Sequence, residues 1–155
     1  MDLTLDKTDL HILRLLQENA RITNADMARE LSMAPSGVLE RVKKLEQKGV
    51  IRQYTARIDP QAVQQKLLAF IFMRSADGMG DNSTAKQLAA LNEVQEVHHV
   101  AGDDCYLIKV RTADSASLMA LMRNTFSKIP GILSTRTTIV LETAKEEQFL
   151  NIPNP

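Results

Sequence analysis

The sequence contains no tryptophan and only one cysteine, Cys105, and its formal net charge at pH 7 is zero. A single cysteine excludes a disulfide within the chain. No apolar run approaches the roughly 20 residues that are needed to span a bilayer. The first residues lack both the basic stretch and the long apolar segment of a secretion signal. Together these absences predict a cytosolic protein without a membrane partner.

The composition is that of an ordinary folded protein. Apolar residues make up 44% and charged residues 25% of the 155 residues, enough for one domain or two small ones. Zero net charge does not exclude nucleic-acid binding, because one basic face is sufficient. The charge is indeed uneven, although a solvated helix surface is the alternative explanation. Residues 41–57 carry Arg41, Lys43, Lys44, Lys48, Arg52 and Arg57 against Glu46 alone.

Three short helical patterns fill the first third of the chain. The first begins after Asp6, whose carboxylate can accept free N–H groups of the first turn. The second begins after Thr23, where residues 23–26 resemble a capping box with Asp26 in place of the usual Glu. The third begins at Pro35, and Gly49 ends it. Its predicted buried stripe consists of Val38, Leu39, Val42 and Leu45.

The break between the second and third helices is only three residues long, 32–34, which is the spacing of a helix-turn-helix. In such a pair the second helix enters the major groove, and its N-terminal residues reach base edges. Phosphates and guanine edges lie within reach further along the helix. A plain three-helix bundle is the alternative. The predicted DNA-contacting residues are Pro35, Ser36, Gly37, Glu40, Arg41, Lys43 and Lys44.

A second domain is predicted after Asp59-Pro60, which gives domains of 1–59 and 60–155. Its pattern is β-α-β-β-α-β, the ferredoxin-like arrangement of one antiparallel sheet with both helices on one face. Valine, isoleucine and phenylalanine on the other face would need to be covered by a partner. A second copy of the same sheet could cover them, so the sequence predicts a homodimer. The predicted elements are strand 67–73, helix 83–91, strands 94–100 and 105–112, helix 115–127 and strand 132–141.

No group of residues suggests catalysis or metal binding. His98 and His99 are adjacent, so on a strand they point to opposite faces and cannot hold one metal ion together. Nothing resembles a nucleophile elbow. Cys105 is predicted to be a small apolar strand residue rather than a nucleophile. We therefore expect no enzymatic activity and no metal.

Five segments, in order along nearly the whole chain, carry a family resemblance. Residues 10–17 read Leu-His-Ile-Leu-Arg-Leu-Leu-Gln, and residues 20–23 read Ala-Arg-Ile-Thr. Residues 39–51 read Leu-Glu-Arg-Val-Lys-Lys-Leu-Glu-Gln-Lys-Gly-Val-Ile. Residues 102–110 read Gly-Asp-Asp-Cys-Tyr-Leu-Ile-Lys-Val, and residues 130–137 read Pro-Gly-Ile-Leu-Ser-Thr-Arg-Thr. These segments resemble the leucine-responsive regulatory protein / AsnC family, the "feast/famine" transcription regulators of bacteria and archaea.

The resemblance implies a fold and a set of partners. The fold would be an N-terminal winged helix-turn-helix followed by an amino-acid-binding ferredoxin-like domain, an α+β architecture. Dimers would form through back-to-back sheets and assemble into octamers. The partners would be double-stranded DNA in the nucleoid and a free amino acid bound between neighbouring dimers, with no other cofactor. The rival hypothesis is an amino-acid-sensing regulatory module of a metabolic enzyme, which the basic helix-turn-helix disfavours.

The resemblance also places the effector near the turn at 101–104. The carboxylate of an amino acid needs donors, and backbone N–H groups of a glycine turn serve well. The part of the lining at the ends of two strands (Met73, Cys105, Thr135, Thr137 and Ile139) is apolar or weakly polar and favours leucine or methionine, because an unpaired charged side chain would be desolvated. The alternative is that this turn is only a turn and the protein answers to no amino acid. The predicted lining is Met73, Gly102, Asp103, Asp104, Cys105, Tyr106, Thr135, Thr137 and Ile139.

Two positions depart from the family pattern. Ala34 stands where serine or threonine often precedes the proline of the recognition helix, so no side-chain cap is expected there. Cys105 stands where the family turn usually has aspartate. We expect this exchange to alter the choice of effector or its affinity.

Overall fold

A computed structural model describes residues 4–78 and 80–154 of the chain. It divides into two compact units, with the division between Arg57 and Ile58 and again between Lys145 and Glu146. The first division lies two residues before the predicted boundary. The second was not predicted: residues 146–154 group with the first unit, whereas the sequence interpretation assigned everything from 60 to 155 to the second domain.

The first unit is built from three helices, α1 (Lys7–Glu18), α2 (Asn24–Leu31) and α3 (Pro35–Gln47). The predicted caps are confirmed. Asp6 Oδ1 accepts a hydrogen bond from the Asp9 N–H over 2.8 Å, and Thr23 Oγ1 accepts one from the Asp26 N–H over 3.0 Å. Ala34 makes no side-chain cap, and Pro35 occupies the first turn of α3. The ends of the helices are therefore fixed by local hydrogen bonding.

The core of the first unit lies where the three helices meet. Its buried side chains are Ile12, Met27, Ala28, Val38, Val42 and Leu45. The prediction that Leu39 is buried with them is wrong, because Leu39 is 40% exposed. Positions 38, 42 and 45 are spaced by four and three residues and form one line, and position 39 lies about 100° further round the helix.

A glycine turn ends α3. Gly49 has φ +68°, and the N–H of Val50 donates to the Leu45 carbonyl over 2.9 Å, which satisfies a carbonyl of the last turn. The sequence also predicts that residues 50–58 are extended, and in the structure they form neither helix nor paired strand. The Tyr54 hydroxyl donates to Glu46 Oε1 over 2.9 Å, so this segment returns to the end of α3.

The segment from 146 to 154 belongs to the first unit because it is hydrogen-bonded to α1. The side-chain amide of Gln17 donates to the Leu150 carbonyl and accepts from the Leu150 N–H, both over 2.8 Å. Arg14 donates to the Pro153 carbonyl over 3.3 Å. Arg57 pairs with Glu147 over 2.7 Å. The Gln17 amide thus forms hydrogen bonds with both the backbone N–H and the carbonyl of Leu150, as a neighbouring strand would.

The second unit confirms the β-α-β-β-α-β prediction. Its strands form one antiparallel sheet in the order β2-β3-β1-β4, and a short 3-10 turn at Phe126–Lys128 follows its last helix. Gly131, in the turn before the last strand, lies against Thr84. The elements are β1 (Leu67–Ser75), α4 (Ser83–Ala89), β2 (Val94–His99), β3 (Tyr106–Thr112), α5 (Ser115–Asn124) and β4 (Ile132–Ile139).

The two faces of this sheet differ in chemistry. One packs against α4 and α5 around Ile71, Ile108 and Val110. The strand register turns Leu68, Phe70, Phe72 and Leu107 to the other face, which we call the open face. The valines and isoleucines within the four strands lie on the helix-covered face instead, because they alternate with these residues. Val140, just after β4, is opposite Leu68 and continues the open face, since its N–H donates to the Leu68 carbonyl over 2.9 Å. No helix among the described residues is long and apolar enough to cross a membrane.

Candidate DNA interface and effector site

One face of α3 is free of the core. Ser36, Leu39, Glu40 and Lys43 are all exposed and lie three or four residues apart, so they share this face. Pro35 is also exposed, at the start of the helix, and Gly37 is half-buried beside Met33. The face offers a hydroxyl, an apolar group, a carboxylate and an ammonium group within about two turns. We call it the α3 face.

Arg41, predicted to contact DNA, is engaged with α1. Its Nη1 lies 2.7 Å from Asp6 Oδ2 and 2.8 Å from Asp9 Oδ1, and its side chain is 32% exposed. These two carboxylates raise the pKa of Arg41 further. In return, the Asp9 N–H and then Arg41 lower the pKa of Asp6. The guanidinium therefore joins α3 to the start of α1, and most of its charge is neutralised within the protein.

Lys44 lies beside this ion cluster. Its Nζ is 3.0 Å from Glu40 Oε1, one helical turn away, and this pair holds the pKa of Glu40 below its usual value. An open cleft of about 350 Å³ runs along this flank of α3, and its lining mixes acids with bases. Lys43 lies on the α3 face instead. The cleft is lined by Leu5, Asp9, Met33, Gly37, Glu40, Arg41, Lys44, Leu45 and Lys48.

The predicted effector turn connects β2 to β3, at the end of the sheet where β1 finishes. Gly102 has φ +140°, a conformation that favours glycine, and a Cβ placed there would meet no atom within 4 Å. Asp103 is exposed, whereas Asp104 and Cys105 are half-buried. The N–H of Cys105 donates to the Met73 carbonyl over 2.9 Å. The turn is thus fixed to β1 on one side and open on the other.

Three residues of the predicted lining do not lie on an open surface of this turn. Met73 and Tyr106 are neighbours in the sheet, but their side chains are 0% and 2% exposed and form part of the core. Ile139 pairs with Ala69, four residues along β4 from the Thr135–Met73 pair, so it lies towards the other end of the sheet. Because side chains alternate along a strand, these three lie on the helix-covered face of the sheet, and residue type alone does not reveal this.

Thr135 and Thr137 lie on β4, on the same side of the sheet as Met73 and Ile71, their partners in register. Thr135 is exposed, and the hydroxyl of Thr137 lies 3.7 Å from the Met122 sulfur. The strand β1 lies between them and β3, the strand that follows the turn. Within one chain, therefore, the predicted lining divides into the turn at 102–105 and an edge-strand group.

Arg136 joins these two parts, and the sequence analysis did not single it out. Its guanidinium lies 4.5 Å from the ring centroid of Phe72 and binds Asp104 Oδ2 over 2.7 Å. The side chain crosses β1 on the open face to reach the turn. The alternation of side chains along a strand could have identified it, because Arg136 lies between Thr135 and Thr137 and therefore points to the opposite face of the sheet.

A polar cluster around Asp77, which the sequence also did not indicate, lies next to the turn and stabilises it. Asp77 accepts hydrogen bonds from the Thr84 hydroxyl over 2.7 Å and from the Tyr106 hydroxyl over 3.1 Å. The bond from Thr84 is the main reason why the pKa of Asp77 is lowered. The Ser75 N–H lies 3.4 Å from the Cys105 sulfur. The start of β3, the end of β1 and α4 are therefore tied together through side chains.

His98 and His99 lie on opposite faces, as predicted. His98 bonds Glu96 over 3.1 Å, while the His99 ring lies 5.2 Å from that of Tyr106. Across residues 4–78 and 80–154, no three His, Cys, Asp or Glu side chains are grouped as metal ligands.

Two family models match the chain. One, described as winged helix-turn-helix DNA-binding, covers residues 5–52. The other, described as the Lrp/AsnC ligand binding domain, covers residues 68–150, more than half of the chain. The chain belongs to the Lrp/AsnC family. It is a DNA-binding transcription regulator with an Lrp/AsnC-type ligand-binding domain, and the predicted fold class is confirmed.

Individual relatives agree with this assignment. The chain is 38% identical over 148 residues to the leucine-responsive regulatory protein of Haemophilus influenzae, covering 94% of this chain and 89% of that protein. A Neisseria meningitidis transcriptional regulator in complex with L-methionine is 31% identical, with TM-score 0.87 and coverage of 95% and 96%. The M. tuberculosis feast or famine regulatory protein complexed with L-methionine is 31% identical, with TM-score 0.88 and coverage of 97% and 100%.

These relatives are transcription regulators and not enzymes. The helix-turn-helix match therefore decides against a regulatory module of a metabolic enzyme, the rival that the sequence left open. The assignment to the Lrp/AsnC family also agrees with the absence of any catalytic motif in the sequence.

Proposed function

We propose that this Lrp/AsnC protein reads operator DNA with the α3 face and that binding of leucine or methionine near the 101–104 turn regulates it. The observation that carries the first part is the exposure of Ser36, Glu40 and Lys43 on one face of a helix whose opposite side is fully buried. Such a helix can enter the major groove without disturbing the core. DNA binding would place the protein in the nucleoid, within the cytosol.

The DNA-binding proposal is tested with full-length protein and duplexes selected by it from a random library. Lys43→Ala removes a charge from the α3 face and is expected to weaken binding and to lower the slope of log affinity against log salt by about one. Ser36→Ala and Glu40→Ala are expected to change the selected sequence. Lys86→Ala removes the same charge from exposed α4 and should bind like wild type. Equal affinity of Lys43→Ala, Ser36→Ala and wild type at all salt concentrations would refute the docking.

Arg41 has a different place in this proposal from the one first predicted. Because Asp6 and Asp9 already bind its guanidinium, we assign it the orientation of α3 rather than direct phosphate binding. Lys43 then supplies the charge on the α3 face itself, and Lys44, which is paired with Glu40, is expected to reach phosphates from the flank of the helix. Pro35 and Gly37 act by their small size at the leading end of the helix.

The effector proposal rests on two observations. The turn at Gly102 exposes backbone where a carboxylate can approach, and two structurally similar relatives are in complex with L-methionine. Cys105 replaces an aspartate of the family turn and so removes one carboxylate partner for lysine or arginine, although Asp103 and Asp104 remain in the turn. The accessible contacts within one chain are residues 102–105. Thr135, Thr137 and Ile139 could complete a site only from a neighbouring copy, which fits binding between dimers.

Calorimetry across the twenty amino acids tests the effector. Leucine or methionine is expected to bind, and Gly102→Val is expected to abolish binding because a branched side chain would project into the approach to the backbone. Gly80→Val is the matched control, since Gly80 also has positive φ and open space but lies outside the turn. Binding of lysine, arginine or aspartate with no response to leucine or methionine would contradict the proposal.

We propose further that the open faces of two sheets pair to form a homodimer and that dimers assemble into octamers. Phe70, Phe72 and Leu107 give this face an apolar centre that remains partly exposed in one chain. Light scattering at micromolar concentration should show at least a dimer, and Phe72→Glu should dissociate it. Met119→Glu, on the exposed side of α5, should not. Two-fold symmetry predicts half-sites about one helical turn apart. A wild-type monomer would refute the pairing.

A further inference from the structure

The apolar stripe of α3 has one member that does not pack inside. Val38, Val42 and Leu45 are 0%, 7% and 3% exposed, whereas Leu39 is 40% exposed. Its large apolar group is therefore the most exposed member of this stripe.

The neighbours of Leu39 give it a possible use. Ser36 precedes it by three residues and Lys43 follows it by four, so all three share the α3 face. A single exposed leucine is ordinary on a protein surface. This one, however, stands at the centre of the face that we propose to enter the major groove, where polar side chains usually make the contacts.

Leucine has no donor or acceptor and cannot read the hydrogen-bonding pattern of a base pair. The one apolar group that the major groove displays is the C5-methyl group of thymine. We infer that Leu39 is a specificity-determining residue that recognises a thymine methyl group in each half-site of the operator. This inference rests on the proposed docking of α3 and adds to it the identity of one base.

The contact is separable from the charges around it. Glu40 is paired with Lys44, which leaves the ammonium of Lys43 as the charged group closest in position to Leu39 on this face. The contribution of Lys43 to DNA affinity comes from attraction to phosphates and therefore depends on the salt concentration. An apolar contact changes the affinity without changing the slope of log affinity against log salt. The two contributions can therefore be measured independently in one titration series.

The experiment uses full-length protein and the duplex that it selects from a random library. Each thymidine is replaced in turn by deoxyuridine, which lacks only the methyl group. For wild type, one replacement per half-site is expected to weaken binding roughly fourfold, the effect of losing one buried methyl-sized contact. Leu39→Ala should bind the two duplexes equally, with an unchanged salt slope. Leu39→Met, which keeps a flexible apolar chain, should retain the sensitivity.

Three results decide the matter. Sensitivity to the methyl group that is the same in wild type and Leu39→Ala overturns the inference, as does a selected site in which no thymidine replacement matters. If either occurs while Lys43→Ala still lowers the salt slope, α3 reads DNA and only the role of Leu39 is wrong. If Lys43→Ala also has no effect, the docking itself has failed. Because Leu39 is exposed, its variants are expected to melt like wild type.

Discussion

The two units of this regulator differ in how their functional residues relate to their cores. Among the residues that the structure describes, six side chains form the buried core of the helical unit and eleven form that of the sheet unit. The helical unit keeps most of its predicted functional residues on the outside of α3, although Arg41 is bound to Asp6 and Asp9. The sheet unit sends two of its predicted functional residues, Met73 and Tyr106, into its core. In a helix the 3.6-residue period separates core positions from surface positions. In a strand neighbouring residues alternate between the two faces of the sheet, so adjacent functional residues can fall in the core or on the surface.

The sharpest test of this contrast is a cavity in the smaller core. Ile12 is fully buried between three helices, and Ile12→Ala is expected to destabilise the helical unit by about 2–5 kcal/mol. Urea unfolding followed by circular dichroism and by the fluorescence of Tyr106 in a Tyr54→Phe background should then show the helical unit unfolding first. Leu39→Ala is the matched control and should shift nothing by more than about 1 kcal/mol. One shared transition for both signals would contradict separate cores.

In the sheet unit the corresponding test is overpacking. A Cβ on Gly131 would lie 1.9 Å from Thr84 Oγ1 and 2.9 Å from Asp77 Oδ1, and Thr84 is 1% exposed. Gly131→Ala is therefore expected to reduce the free energy of unfolding by about 1–3 kcal/mol, measured by urea titration. Gly78→Ala meets no neighbour and should remain near wild type. Equal stability of the two variants would show that the Asp77 cluster yields easily.

A smaller effect is expected at the ion cluster that joins α3 to α1. Arg41→Ala leaves Asp6 and Asp9 without their partner and should reduce stability by about 1 kcal/mol at pH 7. Because the pKa of Asp6 is lowered in the folded protein from 3.8, its contribution is present above that value and is lost as the pH falls below it. The difference in stability between wild type and Arg41→Ala should therefore shrink as the pH falls below 3.8. A difference that persists there would assign the effect to packing.

The smallest expected effect is spectroscopic. Partial burial, assisted by Glu46, raises the pKa of Tyr54 to about 12 although the residue is 47% exposed, and burial with Asp77 nearby raises that of Tyr106. Any stabilisation from Tyr54 is therefore present below pH 10 and is lost as the pH rises towards 12. Ultraviolet absorbance of tyrosinate should appear late in the titration. Glu46→Gln should move the titration of Tyr54 towards its ordinary value and leave Tyr106 unchanged, and a shift of both would refute the assignment.

Much of the fold could be predicted because its determinants are local. Asp6, Thr23 and Gly49 mark helix ends by hydrogen bonds or dihedral angles within a few residues of themselves. The order of strands and helices followed from the change of period along the chain. Leu39 was misassigned because its position on the edge of the stripe is decided by how α1 and α2 pack, which the periodicity of one helix does not contain.

The candidate sites depended more on contacts between distant residues. Arg41 stands in a basic segment, yet its partners Asp6 and Asp9 come from the start of the chain, over thirty positions away. Asp104 and Arg136 likewise meet across β1, 32 positions apart. Residue type indicated that these side chains carry charge. Only the assembled helices and strands determine whether that charge faces a ligand or another part of the protein.

The hydrogen bonds between Gln17 and Leu150 have a consequence for the order of events during synthesis. The ribosome releases the three helices long before it makes residues 146–154, so the helical unit must first form without that segment. Its final contacts close only after the whole sheet unit has been translated. A fragment that stops at residue 57 therefore represents the nascent form of the DNA-binding unit and differs from its mature form. Premature termination within the sheet unit would leave α1 in the nascent form.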